Sequence, residues 1–234
     1  MNGNLKKINA NDISKIASGQ VIVDLRSVIK ELVENSLDAG ATNIDIRLVN
    51  YGADLIEVVD NGNYFLVPIS VGSGILESDF SGLALKYYTS KIHSFGDIRS
   101  IHSFGFRGEA LSCICELSGE FEVVTRHSSS DIGWNIRYNP DGSIAAKHER
   151  ACNKGTTISV KNLFDRLPVR RRAYLHACKT QLSNMITLVQ SFAISSLGVR
   201  FSLTHRPSAG ASVTTILSVP VGSCIQVDCR RIIL

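Results

Sequence analysis

The chain has 234 residues, which is enough for one globular domain with a full hydrophobic core. Its 44% hydrophobic content and formal net charge of +4 indicate a soluble globular protein. No stretch approaches the roughly 20 apolar residues of a membrane span, and the first residues lack the apolar core of a secretion signal. The mildly basic charge permits nucleic-acid binding but does not by itself indicate it.

The six cysteines form no C-x-x-C pair and match no zinc-binding spacing. We therefore expect buried, reduced thiols, as in a cytosolic or nuclear protein. The cysteines are Cys113, Cys115, Cys152, Cys178, Cys224 and Cys229.

The spacing of apolar residues predicts alternating helices and strands, the pattern of an α+β sandwich with helices layered on one face of a mixed sheet. The predicted helices are a short one capped by Asn11 or Asp12, one that contains Glu31 and ends at Gly40, one that follows the turn at Gly105 and Gly108 and reaches about Leu117, and others over residues 80–88 and 173–197. The predicted strands cover residues 43–49, 55–59, 121–126, 134–138, 156–161, 200–204 and 213–219.

Three polar residues share one face of the second predicted helix, because Glu31, Asn35 and Asp38 stand at positions i, i+4 and i+7. A carboxylate and an amide on such a face are suited to polarising water and to holding a hard cation, which prefers oxygen ligands. Spacing alone favours an ordinary solvated helix face. The apolar stripe on the rest of the helix consists of Leu25, Val28, Ile29, Leu32, Val33 and Leu37.

Further motifs follow this helix in a particular order. Asp60-Asn61-Gly62 comes after an apolar strand, residues 105–111 (GFRGEAL) lead into a helix, and residues 155–157 (GTT) start another strand. Taken alone, Asp60-Asn61-Gly62 is better explained as an ordinary turn. The four signals together are far more specific than any one of them.

With these motifs the chain resembles the ATP-binding domain of MutL-type DNA mismatch repair proteins, within the GHKL ATPases (gyrase, heat-shock chaperone, histidine kinase, MutL). The resemblance covers about residues 5–219, and residues 18–22 (SGQVI) resemble the eukaryotic PMS branch. It implies the α+β sandwich of that family. The motifs that carry it are residues 30–46, 60–62, 82–92, 103–112 and 155–172.

The resemblance implies ATP and Mg²⁺ as cofactors and assigns a role to each matching position. Glu31 matches the general base that activates the attacking water, and Asn35 matches the Mg²⁺ ligand. Asp60 matches the carboxylate that accepts a hydrogen bond from the adenine amino group. The other nucleotide-binding positions are Asp38, Gly62, Gly74, Thr89, Ser90, Lys91, Gly105, Phe106, Arg107, Gly108, Glu109, Ala110, Leu111 and Thr156.

Several of these positions have a second explanation. Glycines let a backbone approach phosphates at a helix N-terminus, but Arg107 is as well explained by a structural ion pair as by a phosphate contact. Thr89, Ser90 and Lys91 match the family's ATP lid, and the alternative is a solvated loop. Thr156 matches an adenine-side hydroxyl, and the alternative is an ordinary strand residue.

Four arginines lie around Pro168, namely Arg166, Arg170, Arg171 and Arg172. We expect them to bind DNA phosphates without sequence preference. The alternative, which charge alone favours, is an exposed basic loop or the start of a helix.

The chain departs from the family pattern in two places. Residues 63–73, eleven residues with an apolar centre, separate Gly62 from Gly74 where the family has one residue. They are either a genuine insertion or the product of an unspliced intron or a wrong gene model. We favour the second because an exposed apolar loop is a liability. The resemblance also fades after residue 219, so we expect an ATP-binding domain at 1–219 and a divergent segment at 220–234. The family's second domain, with its phosphate-contacting lysine, and the nicking site are then expected to be absent.

The resemblance implies an ATP-binding, slowly hydrolysing mismatch repair module in the nucleus, without membrane contact. The family's lid closes over ATP, and its N-terminal residues, here about 1–22, cross to a second ATPase domain, so that ATP drives a clamp coupled to DNA. The expected partner is an MLH-type MutL subunit in a heterodimer. The alternative is a truncated, non-catalytic remnant that binds DNA or such a partner without turnover. Another GHKL enzyme, such as a protein kinase, is disfavoured by the MutL-like motifs.

Overall fold

The computed structural model of the chain describes residues 9–62, 74–89, 103–104, 108–208 and 210–222. The helices are α1 (Ala10–Val21), α2 (Leu25–Asp38), α3 (Ala110–Leu117) and α4 (Pro168–Ser195). The strands are β1 (Asn43–Val49), β2 (Leu55–Asp60), β3 (Ser118–Arg126), β4 (Trp134–Tyr138), β5 (Ile144–Glu149), β6 (Gly155–Leu163), β7 (Arg200–Arg206) and β8 (Thr214–Val219).

The strands form one mixed sheet in the order β5-β4-β3-β6-β2-β1-β7-β8. β1 pairs with β7 in parallel, and the other pairs are antiparallel. Helices α2, α3 and α4 pack on the sheet, and the core between them contains fully buried residues such as Leu32, Ile46 and Val123. The other face of the sheet carries cross-strand ion pairs, including Arg47 with Glu57 at 2.8 Å. The predicted α+β sandwich is confirmed.

The bounds of helix α2 follow from its N-terminal cap, from the glycine after its end and from its apolar stripe. Asp24 and Ser27 make a capping box, in which Asp24 Oδ1 accepts a hydrogen bond from the Ser27 N–H at 2.7 Å. Gly40, at φ +70°, lies just beyond the helix and permits the turn into β1. Of the six residues of the predicted stripe, five are fully buried and Leu37 is partly buried against the core. The prediction of a buried helix with one polar face is therefore confirmed.

The structure corrects two predicted elements and adds one strand that was not predicted. Residues 80–88 form consecutive turns instead of a helix, because Gly82 interrupts the segment and Tyr87 adopts a positive φ of 66°. Strand β5 has no predicted counterpart, since its residues are nearly all exposed and carry no apolar alternation. Helix α4 begins at Pro168, five residues before the predicted start, because proline is well suited to the first turn of a helix.

The four cysteines in the described part of the chain are free thiols, and Cys113, Cys115 and Cys178 are buried. Burial raises the pKa of the Cys115 thiol to about 12, so this thiol stays protonated. Among the helices that the structure describes, none combines the length and the apolar character needed to cross a bilayer.

Candidate functional site

The carboxylate of Asp60 marks the end of β2 and connects the sheet to α2. It is 4% exposed; its Oδ2 accepts a hydrogen bond from Ser36 Oγ at 2.8 Å, and its Oδ1 accepts one from the Gly62 N–H at 2.9 Å. Thr156, also buried, stands opposite Asp60 in the β2–β6 register. The structure thus brings together a buried carboxylate and a buried hydroxyl that the sequence assigns to one site.

A second threonine fixes the neighbouring chain segments. Thr125 Oγ1 lies 3.1 Å from Thr156 Oγ1, donates to the Gly155 carbonyl at 2.9 Å, and accepts a hydrogen bond from the Ile75 N–H at 2.9 Å. The segment that starts at Gly74 is therefore fastened to β3 and β6 beside Asp60.

Gly62 and Gly74 are adjacent in space although residues 63–73 separate them in sequence. The Gly74 N–H donates to the Gly62 carbonyl at 3.0 Å. Gly74 has φ +63°, and a Cβ there would overlap the carbonyl of Arg126, so this position requires glycine. The two glycines of the predicted motif are therefore joined directly by a backbone hydrogen bond.

Helix α2, which contacts this carboxylate through Ser36, also carries the predicted polar face. Glu31, Asn35 and Asp38 are all half-buried, whereas Ser36 points to the buried side and contacts Asp60. Asp38 Oδ1 accepts a hydrogen bond from the backbone N–H of Phe104 at 3.0 Å, which ties residues 103–104 to α2. The line of polar groups predicted from helical spacing is therefore present on the described surface of the helix.

Lys30 sets the electrostatic surroundings of Glu31. Its ammonium group lies 2.7 Å from Glu34 and 3.3 Å from Glu31. Partial burial alone would lower the pKa of Lys30, but the hydrogen bond and charge of Glu34, with the charge of Glu31, raise it above its usual value. Glu34 is thus the closer partner of Lys30, and the side chain of Glu31 is 26% exposed.

The start of α3 packs against the segment that ends at Thr89. The Tyr87 N–H donates to the Gly108 carbonyl at 3.0 Å, and a Cβ on Gly108, which has φ +61°, would overlap the carbonyl of Tyr88. Thr89 therefore follows directly on residues that are fixed against Gly108. The three predicted site residues that open this helix region, all half-buried, are Glu109, Ala110 and Leu111.

Five predicted site residues and the insertion lie outside the described residues, so the structure does not place them. They are Ser90, Lys91, Gly105, Phe106 and Arg107, together with residues 63–73 and, at the end of the chain, residues 223–234.

Two of the four arginines, Arg170 and Arg171, are half-buried and bind backbone carbonyls through the ends of their guanidinium groups. Arg171 Nη1 donates to the carbonyls of Ala53 at 2.9 Å and Leu163 at 2.8 Å. Arg170 Nη1 donates to the Gly19 carbonyl, at the end of α1 where a cation complements the helix dipole, and its guanidinium lies 5.4 Å from the centre of the Phe164 ring.

The other two arginines are exposed. Arg166 donates through Nε to the Ser118 carbonyl at 3.1 Å, and Arg172 lies on the outer face of α4. The structure therefore divides a cluster that the sequence presents as one unit, and DNA contact by these residues stays a prediction.

Sequence reasoning missed Ser36 and Thr125, which orient the predicted residues. A signal for Ser36 was present, since it stands four residues after Leu32 and three after Val33, within the apolar stripe. A hydroxyl at such a position needs a buried partner, and that partner is Asp60. No comparable signal marks Thr125, because threonine is common in strands.

A comparison with known protein families identifies the class of protein to which this fold and this site belong. Residues 23–166 match the family described as histidine kinase-, DNA gyrase B- and HSP90-like ATPase, and the chain belongs to this family. It is 43% identical over 206 residues to the mismatch repair endonuclease PMS2 of Gallus gallus, and 41% identical over 202 residues to the DNA mismatch repair protein pms1 of Schizosaccharomyces pombe. These alignments cover 88% and 86% of this chain but only 22% and 24% of the relatives, so the chain spans about a quarter of their length.

Solved structures agree with this assignment. The crystal structure of the N-terminal domain of a DNA repair protein matches with a TM-score of 0.78 and 35% identity, over 94% of this chain and 60% of that one. The Aquifex aeolicus MutL ATPase domain complexed with ADP matches with a TM-score of 0.63 and 26% identity, over 91% of this chain and 69% of that one. The predicted resemblance to MutL-type proteins of the PMS branch is confirmed.

Proposed function

We propose that this chain binds ATP between the polar face of α2 and the Asp60 end of β2, and hydrolyses it slowly as the ATPase module of a mismatch repair protein. The observation that carries the proposal is the buried Asp60 carboxylate, held by Ser36 and Gly62 beside Thr156. The similarity to a MutL domain complexed with ADP supports it.

The residues present fit a bound adenine nucleotide and Mg²⁺. An ionised carboxylate only accepts hydrogen bonds, about four in all, and the bonds from Ser36 and Gly62 hold Asp60 in place as the proposed acceptor for an amino group. Asn35 offers an amide oxygen on the half-buried face of α2, which suits a hard cation. Mg²⁺, when bound, would neutralise charge on the phosphates.

Glu31 is the proposed general base. It lies one helical turn before Asn35, on the same face, and its partly exposed carboxylate can orient a water and accept its proton. Glu34 supports this role by taking the shorter bond to Lys30. The proposed phosphate-side residues are the segment from Gly108 to Leu111 and Thr89, together with Ser90, Lys91, Gly105, Phe106 and Arg107 by resemblance.

The proposed consequence of ATP binding is a clamp formed with a second ATPase domain of the MLH type, in the nucleus and coupled to DNA. Helix α1 and the turn after it carry four exposed apolar side chains, a feature typical of an interaction surface. Their exposed fractions range from 37% to 56%, for Ile13, Ile16, Val21 and Val23.

Calorimetric titration with ATP and with GTP, each with and without Mg²⁺, tests the nucleotide site. A carboxylate accepts from the adenine amino group but repels the guanine carbonyl, so we expect binding of ATP and not of GTP. Asp60→Asn should weaken ATP binding by roughly 10- to 100-fold, since it removes a hydrogen bond to a charged group. Asp54→Asn is the matched control, because Asp54 is exposed just before the other end of the same strand.

Two results would count against the proposal. Absence of ATP binding would favour the non-catalytic remnant, which binds DNA or a partner without turnover. Equal affinity for ATP in the Asp60→Asn and Asp54→Asn variants would show that Asp60 does not contact the adenine.

A further inference from the structure

A buried polar cluster outside the proposed nucleotide contacts joins α1, α3 and the segment before Thr89. Glu116, near the end of α3, is 7% exposed, and its Oε2 accepts hydrogen bonds from Ser18 Oγ at 2.6 Å, Lys86 Nζ at 2.9 Å and Ser14 Oγ at 3.0 Å. Lys86 also donates to both serines. Ser14 and Ser18 stand one turn apart on one face of α1, so a single carboxylate holds the helix at two points.

The polar groups of the cluster stabilise the charged form of Glu116. Burial would raise the pKa of Glu116, but hydrogen bonds from Ser18, Lys86 and Ser14 outweigh burial and hold the pKa below its usual value. The carboxylate is therefore charged at neutral pH and stays paired with the ammonium group of Lys86. A buried charge that loses its partner is strongly destabilising, so the ion pair favours the arrangement in which α1, Lys86 and α3 are all in place.

The same cluster is connected to the proposed phosphate-side segments. Lys86 precedes Tyr87, whose N–H donates to the Gly108 carbonyl at 3.0 Å. The short segment between Lys86 and Thr89 is thus fixed at Glu116, near one end of α3, and at Gly108, before the other end. A displacement of α1 would remove Ser14 and Ser18, which form hydrogen bonds with both Lys86 and Glu116, and would therefore weaken the first of these two attachments.

We propose that Lys86 and Glu116 are positioning residues that couple the docking of α1 to nucleotide binding. This inference rests on the proposed function, because it requires ATP at the segments around Thr89 and Gly108. Neither residue needs to touch ATP, since their effect passes through the backbone of residues 86–89 and through α3. Coupling is reciprocal, so bound ATP stabilises the docking of α1 by the same factor by which docked α1 strengthens ATP binding.

Hydrogen exchange of the α1 amides with and without ATP, combined with ATP titration, tests the coupling. The main variant is Lys86→Met with Glu116→Gln, which removes both charges and leaves no unpaired buried ion. Lys86→Arg is the conservative variant, because it keeps the charge next to Glu116. Glu120→Gln is the matched control, since Glu120 pairs with Lys161 at 3.0 Å on β3 and β6, away from α1.

In the wild type and in the Glu120→Gln and Lys86→Arg variants, we expect ATP to slow exchange across α1 by roughly 10-fold. In the double variant, ATP should bind roughly 10-fold more weakly and leave α1 exchange unchanged. Equal protection of α1 in the double variant and the wild type would overturn the inference. If the wild type binds ATP but the exchange of the α1 amides does not change, the coupling is overturned and the proposed function stands. If the wild type binds no ATP, both the coupling and the proposed function are overturned.

Discussion

The Asp60 end of β2 and the start of α4 both stand out in the sequence by their charged residues, but the charged side chains of the two regions make different contacts in the structure. At the first, polar groups converge from α2, β2 and β6 on one buried carboxylate. At the second, the guanidinium groups of Arg170 and Arg171 point inward and bind carbonyls of α1, of the turn before β2 and of β6. The first region carries the proposed chemistry, whereas Arg170 and Arg171 in the second region stabilise the fold.

This difference shows that clustering of charge in a sequence does not identify a binding surface. Buried carbonyls need donors, and Ala53 and Leu163 are fully buried with carbonyls that Arg171 reaches. Arginine is suited to this task because it has five N–H donors on a rigid plane. Of the four, Arg166 and Arg172 are the pair exposed to solvent.

The largest expected effect tests the chemistry of the first region. Glu31→Ala should lower the turnover of ATP by roughly 100-fold or more, because it removes the proposed general base. ATP affinity should change little, since the residues proposed to contact adenine and Mg²⁺ remain. Phosphate release and calorimetric titration measure the two quantities.

The control for this variant is Glu122→Gln, which alters a partly exposed carboxylate on β3, where Lys161 lies 3.9 Å away. Wild-type turnover in the Glu31→Ala protein would show that another group activates the water.

The next effect tests the structural role of the second region. Arg171→Met should lower the free energy of unfolding by about 2–3 kcal/mol, because it leaves two buried carbonyls without their donor. Arg172→Met should change it by about 0.5 kcal/mol or less, since Arg172 is exposed. Urea unfolding of the two variants measures the difference, and equal losses of stability would show that the hydrogen bonds from Arg171 to the carbonyls contribute nothing specific.

Most of the fold was predictable because its elements carry strong periodic signals. Strand β1 alternates Ile44, Ile46 and Leu48 on its buried side, and its observed bounds equal the predicted ones. Residues 80–88 were predicted wrongly because their apolar spacing matches a helix, whereas Gly82 and the hydrogen bond to Gly108 select turns. Strand β5 escaped prediction because an exposed edge strand has no apolar alternation to detect.

The candidate site was predictable where spacing along one helix determines which side chains share a face. It was unpredictable where contacts between residues far apart in the sequence determine the position of a side chain. Helical spacing placed Glu31, Asn35 and Asp38 on one face, and that face is half-buried in the structure. Nothing in the sequence places Ser18 next to Glu116, since 98 residues separate them. The inward orientation of Arg171 has the same origin, because its carbonyl partner on Ala53 lies 118 residues away.

A smaller effect concerns residues 63–73, which separate Gly62 from Gly74 in the sequence. Deletion of residues 63–72, which leaves Gly62-Ser73-Gly74, needs little movement because Gly62 and Gly74 are already joined by a hydrogen bond of 3.0 Å. We expect a gain in stability of about 1–2 kcal/mol from the shorter loop, and ATP binding at least as tight as in the full chain. Thermal unfolding and calorimetric titration measure both.

A Gly/Ser linker of equal length in place of residues 63–72 separates loop length from loop sequence. Weaker ATP binding in the deletion variant than in the linker variant and the full chain would show that loop length itself supports the site. Weaker binding in both altered proteins would identify the natural residues as a functional element.

The smallest expected effect asks whether the second region binds DNA at all. Arg166→Ser with Arg172→Ser removes the two exposed guanidinium groups and should flatten the slope of log affinity against log salt by roughly one for each DNA phosphate that is no longer bound. Arg170→Ser with Arg171→Ser should reduce stability and leave that slope unchanged in protein that is still folded, because those groups bind internal carbonyls. Fluorescence anisotropy with a labelled duplex at several salt concentrations gives both slopes. An unchanged slope in the first variant would mean that the outer face of the cluster does not meet DNA and that all four arginines serve the start of α4.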